Sequence, residues 1–280
     1  MMNRHSLNME KRREFINKHK SLPEDLFDFY KKLFDAQESA YEKFPDNMTD
    51  FLPVNTDFPP YLIKEKIKLS DEIVGQLEVL LGDIIEIVSR VNPGMDFSSL
   101  KEAFNEFAGE AVVKLLLHDF QYFENKAAEL RLDLPELLFM IHNVFKPFLV
   151  KGREEAPSVP DKEDWLKGNC PYCGYMPGFS KIVESGENKR VLHCSLCECE
   201  WAFPRMQCHI CGNTDHDTLG FFEYEDAPDY RAYYCDKCRN YIKSVRIPKM
   251  REEAGYDLTV EDIITGFIDS TMIGKEYNRN

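Results

Sequence analysis

At 280 residues the chain has room for one large domain or two of ordinary size. Hydrophobic residues make up 43% of it and aromatics 12%, enough for a real core, which excludes global disorder. A formal charge of −14 argues against a nucleic-acid binder, which usually carries a basic face. The opening residues, MMNRHSLNMEKRREF, are too charged for the apolar stretch of a secretory signal. No apolar run approaches the roughly eighteen residues of a membrane span; LLFMI at Leu137 to Ile141 is among the longest. The expectation is a soluble, cytoplasmic chain with no membrane insertion. In that reducing compartment clustered cysteines serve as metal ligands or redox groups rather than disulfides.

The first part of the chain reads as helical. From Ser21, Leu26, Phe29, Tyr30, Leu33 and Phe34 recur at helical spacing. Ser70 opens a second helix whose stripe is Ile73, Leu77, Leu80, Leu81, Ile84 and Val88, stopped by NPG at Asn92 to Gly94. Ser99 and Glu102 have capping-box spacing, with Leu100, Phe104, Phe107, Ala111 and Leu115 behind them. A further helix is expected from about Asp133 and Pro135 through Leu137, Leu138, Ile141 and Phe145, kinked or ended by Pro147. TDFPPYLIKEK, around Pro59 and Pro60, reads as an extended connector. KGREEAPSVPDKED from Lys151 reads as a linker. Beyond it, FSKIVES, RVLHC and YRAYYC are strand-like pieces between CxxC pairs. In the tail, Ile263, Phe267 and Met272 fall into line, and Thr259 with Asp262 has capping-box spacing.

No cysteine occurs before Cys170, and all nine lie between Cys170 and Cys238. Eight form the pairs Cys170/Cys173, Cys194/Cys197, Cys208/Cys211 and Cys235/Cys238. A CxxC turn puts two thiolates on one side of a tight loop, and two such loops complete a tetrahedral site with sulfur about 2.3 Å from the ion. The intervals from Cys173 to Cys194 and from Cys211 to Cys235 hold 20 and 23 residues, each the size of a short hairpin. The spacing therefore predicts two tetrathiolate-bound metal ions. Consecutive pairing is the simpler arrangement, since each site closes within one hairpin; interleaved pairing stays open. Tetrahedral sulfur suits either iron or zinc, and CPYCG resembles the rubredoxin knuckle. A thioredoxin-like redox pair would need only one CxxC, placed at a helix start. Glycine after Cys173 and Cys211 suits a metal knuckle instead, because it adopts positive φ without strain.

The remaining residues add no chemistry of their own. Cys199 reads as a partly buried, inert thiol, and Trp201 and Phe203 as core. His193, His209 and His216 are not needed as ligands. From Cys170 to Met250 there are ten Lys/Arg and eleven Asp/Glu, so this region is not basic, although Arg205, Arg239, Lys243, Arg246 and Lys249 form a candidate local patch. No nucleophile elbow, phosphate loop or HExxH is present, and no catalytic residue is assigned. The fold class expected is α+β: a helical domain over 1–155, rubredoxin-like or zinc-ribbon modules over 156–205 and 206–250, and a helical tail over 251–280.

CPYCGYMP at Cys170 to Pro177, the run from Arg190 to Cys211 (R-x-L-x-C-x-x-C-x-x-x-W-x-x-x-R-x-x-C-x-x-C), and C-x-x-C-x-x-Y-x-K from Cys235 to Lys243 resemble the formate dehydrogenase accessory protein FdhE family. The tail VEDIITGFIDSTMIGKEY is similar to that family's closing helix. The resemblance is specific over about 110 residues from Cys170 and architectural before it; Cys199 departs from it. It implies a helical domain followed by two rubredoxin-like modules. It also implies a non-enzymatic role in maturing formate dehydrogenase through contact with its catalytic subunit, with Trp201, Arg205, Tyr241 and Lys243 as candidate contact residues. Two alternatives stand beside it: a zinc-ribbon nucleic-acid-binding regulator, and a rubredoxin-like electron-transfer protein.

Overall fold

The computed structural model describes residues 12–17, 22–154, 156, 165–184, 189–248 and 256–279. It divides into two compact units, one of 22–157 with 172–175, the other of 1–21, 158–171 and 176–280. Among the described residues no helix is long and apolar enough to cross a membrane. Most of the linker, the first eleven residues and Lys249 lie outside the described residues.

The first unit is a helical assembly. Helix α1 (Glu24–Lys43) buries Leu33, Phe34, Gln37, Ala40 and Tyr41, so its packed face sits in its second half. Leu26, Phe29 and Tyr30 are only half-buried. Helix α2 (Asp71–Val91) begins where Ser70 Oγ accepts from Ile73 N at 3.3 Å, and all six residues of the expected stripe are buried. Helix α3 (Ser98–Leu116) buries Leu100, Phe104, Phe107, Ala111 and Leu115 as expected. Its capping differs from the expected box. Asp96 Oδ1 accepts from the backbone N and hydroxyl of Ser98, while Ser99 Oγ donates to the carbonyl of Leu130 at 2.6 Å. The helix starts at Ser98, two residues earlier than a Ser99 cap would place it, so Ser99 is already inside it.

Helix α4 (Phe120–Leu130) has no counterpart in the sequence reading; Asp119 caps it and Arg131 ends it in the left-handed region at φ 58°. Helix α5 (Leu134–Glu154) continues past Pro147, so the proline does not end it. Proline at 147 cannot donate to the carbonyl of Asn143. That carbonyl instead accepts from the buried Gln37 Nε2 at 3.1 Å, so a neighbouring helix supplies the missing bond. Continuous burial from Val144 to Gly152 holds the helix in place; each large apolar side chain removed from water contributes about 1.5–3 kcal/mol. The expected extended connector instead folds back on itself: Val54 bridges Leu62 antiparallel across bends at 56–60, with single 3-10 turns at Met48–Asp50 and Lys64–Lys66.

The second unit is built on one six-stranded sheet. Its strands are β1 (Pro177–Val183), β2 (Lys189–Cys194), β3 (Glu200–Phe203), β4 (Leu219–Glu223), β5 (Tyr230–Cys235) and β6 (Asn240–Ile247), in spatial order β3-β2-β1-β6-β5-β4. Each cysteine module supplies three antiparallel strands. The residues assigned by sequence to separate modules are joined where β1 pairs in parallel with β6, Phe179 against Lys243 through Val183 against Ile247.

Helices α6 (Leu258–Ile264) and α7 (Gly266–Gly274) belong to the same unit. Asp257, not Thr259, caps α6, accepting from Val260 N at 3.0 Å. The tail breaks at Thr265, whose buried hydroxyl donates back to the carbonyl of Glu261 at 2.7 Å. After that break Ile268 and Met272 face the core and Phe267 is exposed, so the expected line of Ile263, Phe267 and Met272 does not form. Ala232 and Tyr241 pack with Ile268, Met272 and Tyr277; Phe179, Val245 and Ile247 pack with Leu258. The C-terminal helices thus cover the face of β6 that carries Tyr241, Lys243 and Val245.

Candidate metal centres

The four CxxC turns all leave the same backbone signature. The residue after each second cysteine lies in the left-handed region: Gly174 (φ 74°), Glu198 (57°), Gly212 (69°) and Arg239 (57°). In three of them that residue's N–H closes the loop on the carbonyl of the first cysteine, Glu198 to Cys194, Gly212 to Cys208 and Arg239 to Cys235. Glycine takes this conformation freely, whereas Glu198 and Arg239 each carry a cost of about 1–2 kcal/mol. Both are anchored. Glu198 pairs with Arg12 at 2.9 Å, and the Arg239 guanidinium lies 3.9 Å from the Tyr277 ring.

The turns bring the sulfurs together in consecutive pairs. Cys170, Cys173, Cys194 and Cys197 form one group and Cys208, Cys211, Cys235 and Cys238 the other, with all sulfurs of a group within 4.8 Å of one another. Measured separations are 3.6 Å for Cys170–Cys197, 3.6 Å for Cys208–Cys238 and 3.8 Å for Cys211–Cys235. A tetrahedron with metal–sulfur bonds of about 2.3 Å has edges of about 3.8 Å, while a disulfide spans about 2.05 Å. The donor set and spacing therefore fit one four-coordinate ion per group. When bound, such an ion cross-links two knuckles and contributes folding free energy.

Donors aimed at sulfur complete the fit. The backbone N of Tyr175 points at Cys173 Sγ and the amide of Asn213 at Cys235 Sγ, each at 3.5 Å. Burial raises the Cys208 and Cys238 thiols above their ordinary value. At Cys235 burial acts the same way but is outweighed by the N–H groups of Cys238 and Lys237 and the Asn213 amide, which bring it down to about 7. Asn213, whose carbonyl also accepts from Cys208 N at 2.8 Å, was not signalled by the sequence; an asparagine in a loop carries no motif.

The other residues singled out by sequence fall mostly inside the fold. Cys199 is buried and belongs to neither group. No histidine joins either group among the described residues; burial, reinforced by the charge of Arg190, drives His209 down to about 3, so it is neutral at physiological pH. Of the four candidate contact residues, Trp201, Tyr241 and Lys243 are buried and only Arg205 is exposed. Trp201 Nε1 donates to the carbonyl of Lys167 at 3.0 Å. Lys243 ends between Asp262 (2.7 Å) and Asp269 (2.6 Å), and the Tyr241 hydroxyl donates to Asp269 at 2.7 Å. Arg279 also pairs with both aspartates. Tyr241 and Lys243 thus fasten the C-terminal helices to the sheet, which corrects their assignment as surface contacts. Of the candidate basic patch, Lys243 is buried, Arg246 pairs with Glu184 and Arg239 with Asp236, while Arg205 is exposed.

A sheet built from two rubredoxin-like or zinc-ribbon modules, each with a closed tetracysteine group, defines a protein that could hold two structural metal ions. Comparison with known proteins narrows the class. Residues 169–205 match the family model described as the FdhE central domain. A "Protein FdhE homolog" of Aquifex aeolicus is 26% identical over 228 residues, 67% of this chain and 80% of that relative. One of Shewanella oneidensis is 36% identical over 127 residues, 44% of this chain and 41% of its own length. The crystal structure of the FdhE protein from Pseudomonas aeruginosa has the same fold, with a TM-score of 0.59 at 16% identity over 99% of this chain and 94% of that one. The chain is thus similar to FdhE proteins, by sequence most clearly in its cysteine region, and it shares the fold of one of them.

Proposed function

We propose that this protein is an accessory factor for formate dehydrogenase, acting by binding the enzyme's catalytic subunit during assembly or activation. The observation that carries the reading is the match of the first knuckle module to the FdhE central domain, with both tetracysteine groups in the arrangement the resemblance implies. A group whose four positions are all filled by thiolate leaves none for substrate or for the activated water of a catalytic zinc, which supports a binding role without turnover. Of the four residues first suggested for partner contact, Arg205 is the one whose exposure suits it.

The test is deletion and complementation of the gene in its own cell. Formate oxidation should fall in the deleted strain while the catalytic subunit remains detectable by immunoblot, and the tagged protein should capture that subunit. Unchanged activity in a strain with no second copy would overturn the reading.

A further inference from the structure

Two arginines of the sheet unit are equally buried, each 3% exposed, yet they are treated in opposite ways. Arg12 lies between Glu198 and Asp257, each at 2.9 Å, and their charges outweigh its burial to raise its pKa. Among the described residues Arg190, on β2, has no carboxylate beside it; its Nε and Nη2 have no hydrogen-bond partner there, and the Tyr233 side chain is the polar neighbour that partly offsets its burial. Its guanidinium carbon rests 4.1 Å from the ring of Tyr233. Burial lowers it to about 10, so it stays charged at neutral pH. A buried charge with idle donors is costly to leave unmatched.

Arg190 lines a cavity of about 280 Å³, with Arg205, Phe221, Tyr233 and Ile242 among the other walls and no aspartate or glutamate among the described residues of its lining. By strand alternation Ile242 points away from the face that the C-terminal helices cover. Exposed Phe221 and Met206 stand at its mouth with Arg205. Cys208 and Cys235 form part of the wall. With a metal ion bound, their thiolates would offset the charge of Arg190 without giving its Nε and Nη2 an acceptor.

We propose that this cavity binds a carboxylate carried on a small apolar body. The planar guanidinium of Arg190 offers parallel N–H groups that match a carboxylate, Arg205 adds charge at the entrance, and the aromatic walls take the apolar part. The volume suits a free small acid or one residue of a peptide bearing a terminal or side-chain carboxylate.

The metal-loaded full chain is titrated at low salt with phenylacetate, with its neutral isostere phenylacetamide, and with a short peptide ending in phenylalanine as free acid or as amide. The side-chain Nε–H resonance of Arg190 and calorimetry give the readout. Phenylacetate should bind saturably and shift that resonance, with phenylacetamide at least about tenfold weaker. Arg205→Glu, a surface change, should weaken phenylacetate by about tenfold at an unchanged unfolding temperature, and Arg190→Met should abolish the binding. A free-acid peptide that outcompetes phenylacetate assigns the carboxylate to a polypeptide; the reverse order assigns it to a small acid. Equal binding of phenylacetate and phenylacetamide, or indifference to Arg205→Glu, would overturn the site.

Discussion

The two tetracysteine groups share spacing, knuckle conformation and sulfur geometry, but not their surroundings. All four cysteines of the first group are buried, whereas in the second Cys211 is exposed and Cys238 half-buried. The non-glycine knuckle residues follow the same division. Glu198, after the first group, answers the buried Arg12, while Arg239, after the second, makes its pairing with Asp236 at the surface. A ligand motif therefore fixes how an ion would be held and leaves open how well it is shielded.

The largest expected contrast lies between Cys170→Ser and Cys211→Ser. Loss of a buried ligand should release the first ion and unfold its module, since structural zinc sites of this kind supply on the order of 10 kcal/mol. At Cys211 water can reach the open corner, so the variant should keep the module folded with weakened metal affinity. Metal-to-protein ratios by elemental analysis, with circular dichroism, check this; equal loss from both variants would mean that burial does not distinguish the groups.

A smaller effect is kinetic. With a chromophoric chelator in excess, the wild-type protein should release one ion at least about tenfold faster than the other, because solvent reaches the second group first. Cys238→Ser should abolish the fast phase and leave the slow one. A single release phase for two equivalents would remove the distinction.

The smallest contrast concerns the knuckle residues. Glu198→Gly relieves a left-handed non-glycine residue but leaves Arg12 with one carboxylate fewer, for a net loss of about 1–2 kcal/mol. Arg239→Gly gains the same relief and gives up mainly exposed contacts, so its stability should stay within about 0.5 kcal/mol of wild type. Denaturant midpoints of the two variants decide the matter; similar shifts would show that the Arg12 pairing contributes little.

Much of this was legible in the chain itself. The eight candidate ligands follow from CxxC spacing; their consecutive grouping was the simpler reading, and the fold chose it over the interleaved one. The stripes of α2 and α3 were legible from their period, and Ser70 from its place before one of them. Where the reading failed, the deciding contact lay far away in sequence. Pro147 sits inside a helix because Gln37, 110 positions earlier, serves the carbonyl that proline cannot. Tyr241 and Lys243 look like surface polar residues until Asp262, Asp269 and Arg279 are folded onto them.

The sequence by itself determined the candidate metal ligands, the helical character of the first unit and the resemblance to FdhE, since each rests on local spacing that short-range geometry enforces. Tertiary structure alone decided that the two modules form one sheet through β1 and β6, that one group is shielded and the other open, and that Arg190 is buried without a carboxylate among the described residues while Arg12 has two. Burial and charge pairing belong to groups brought together across long stretches of chain, and no local pattern encodes which distant side chain arrives.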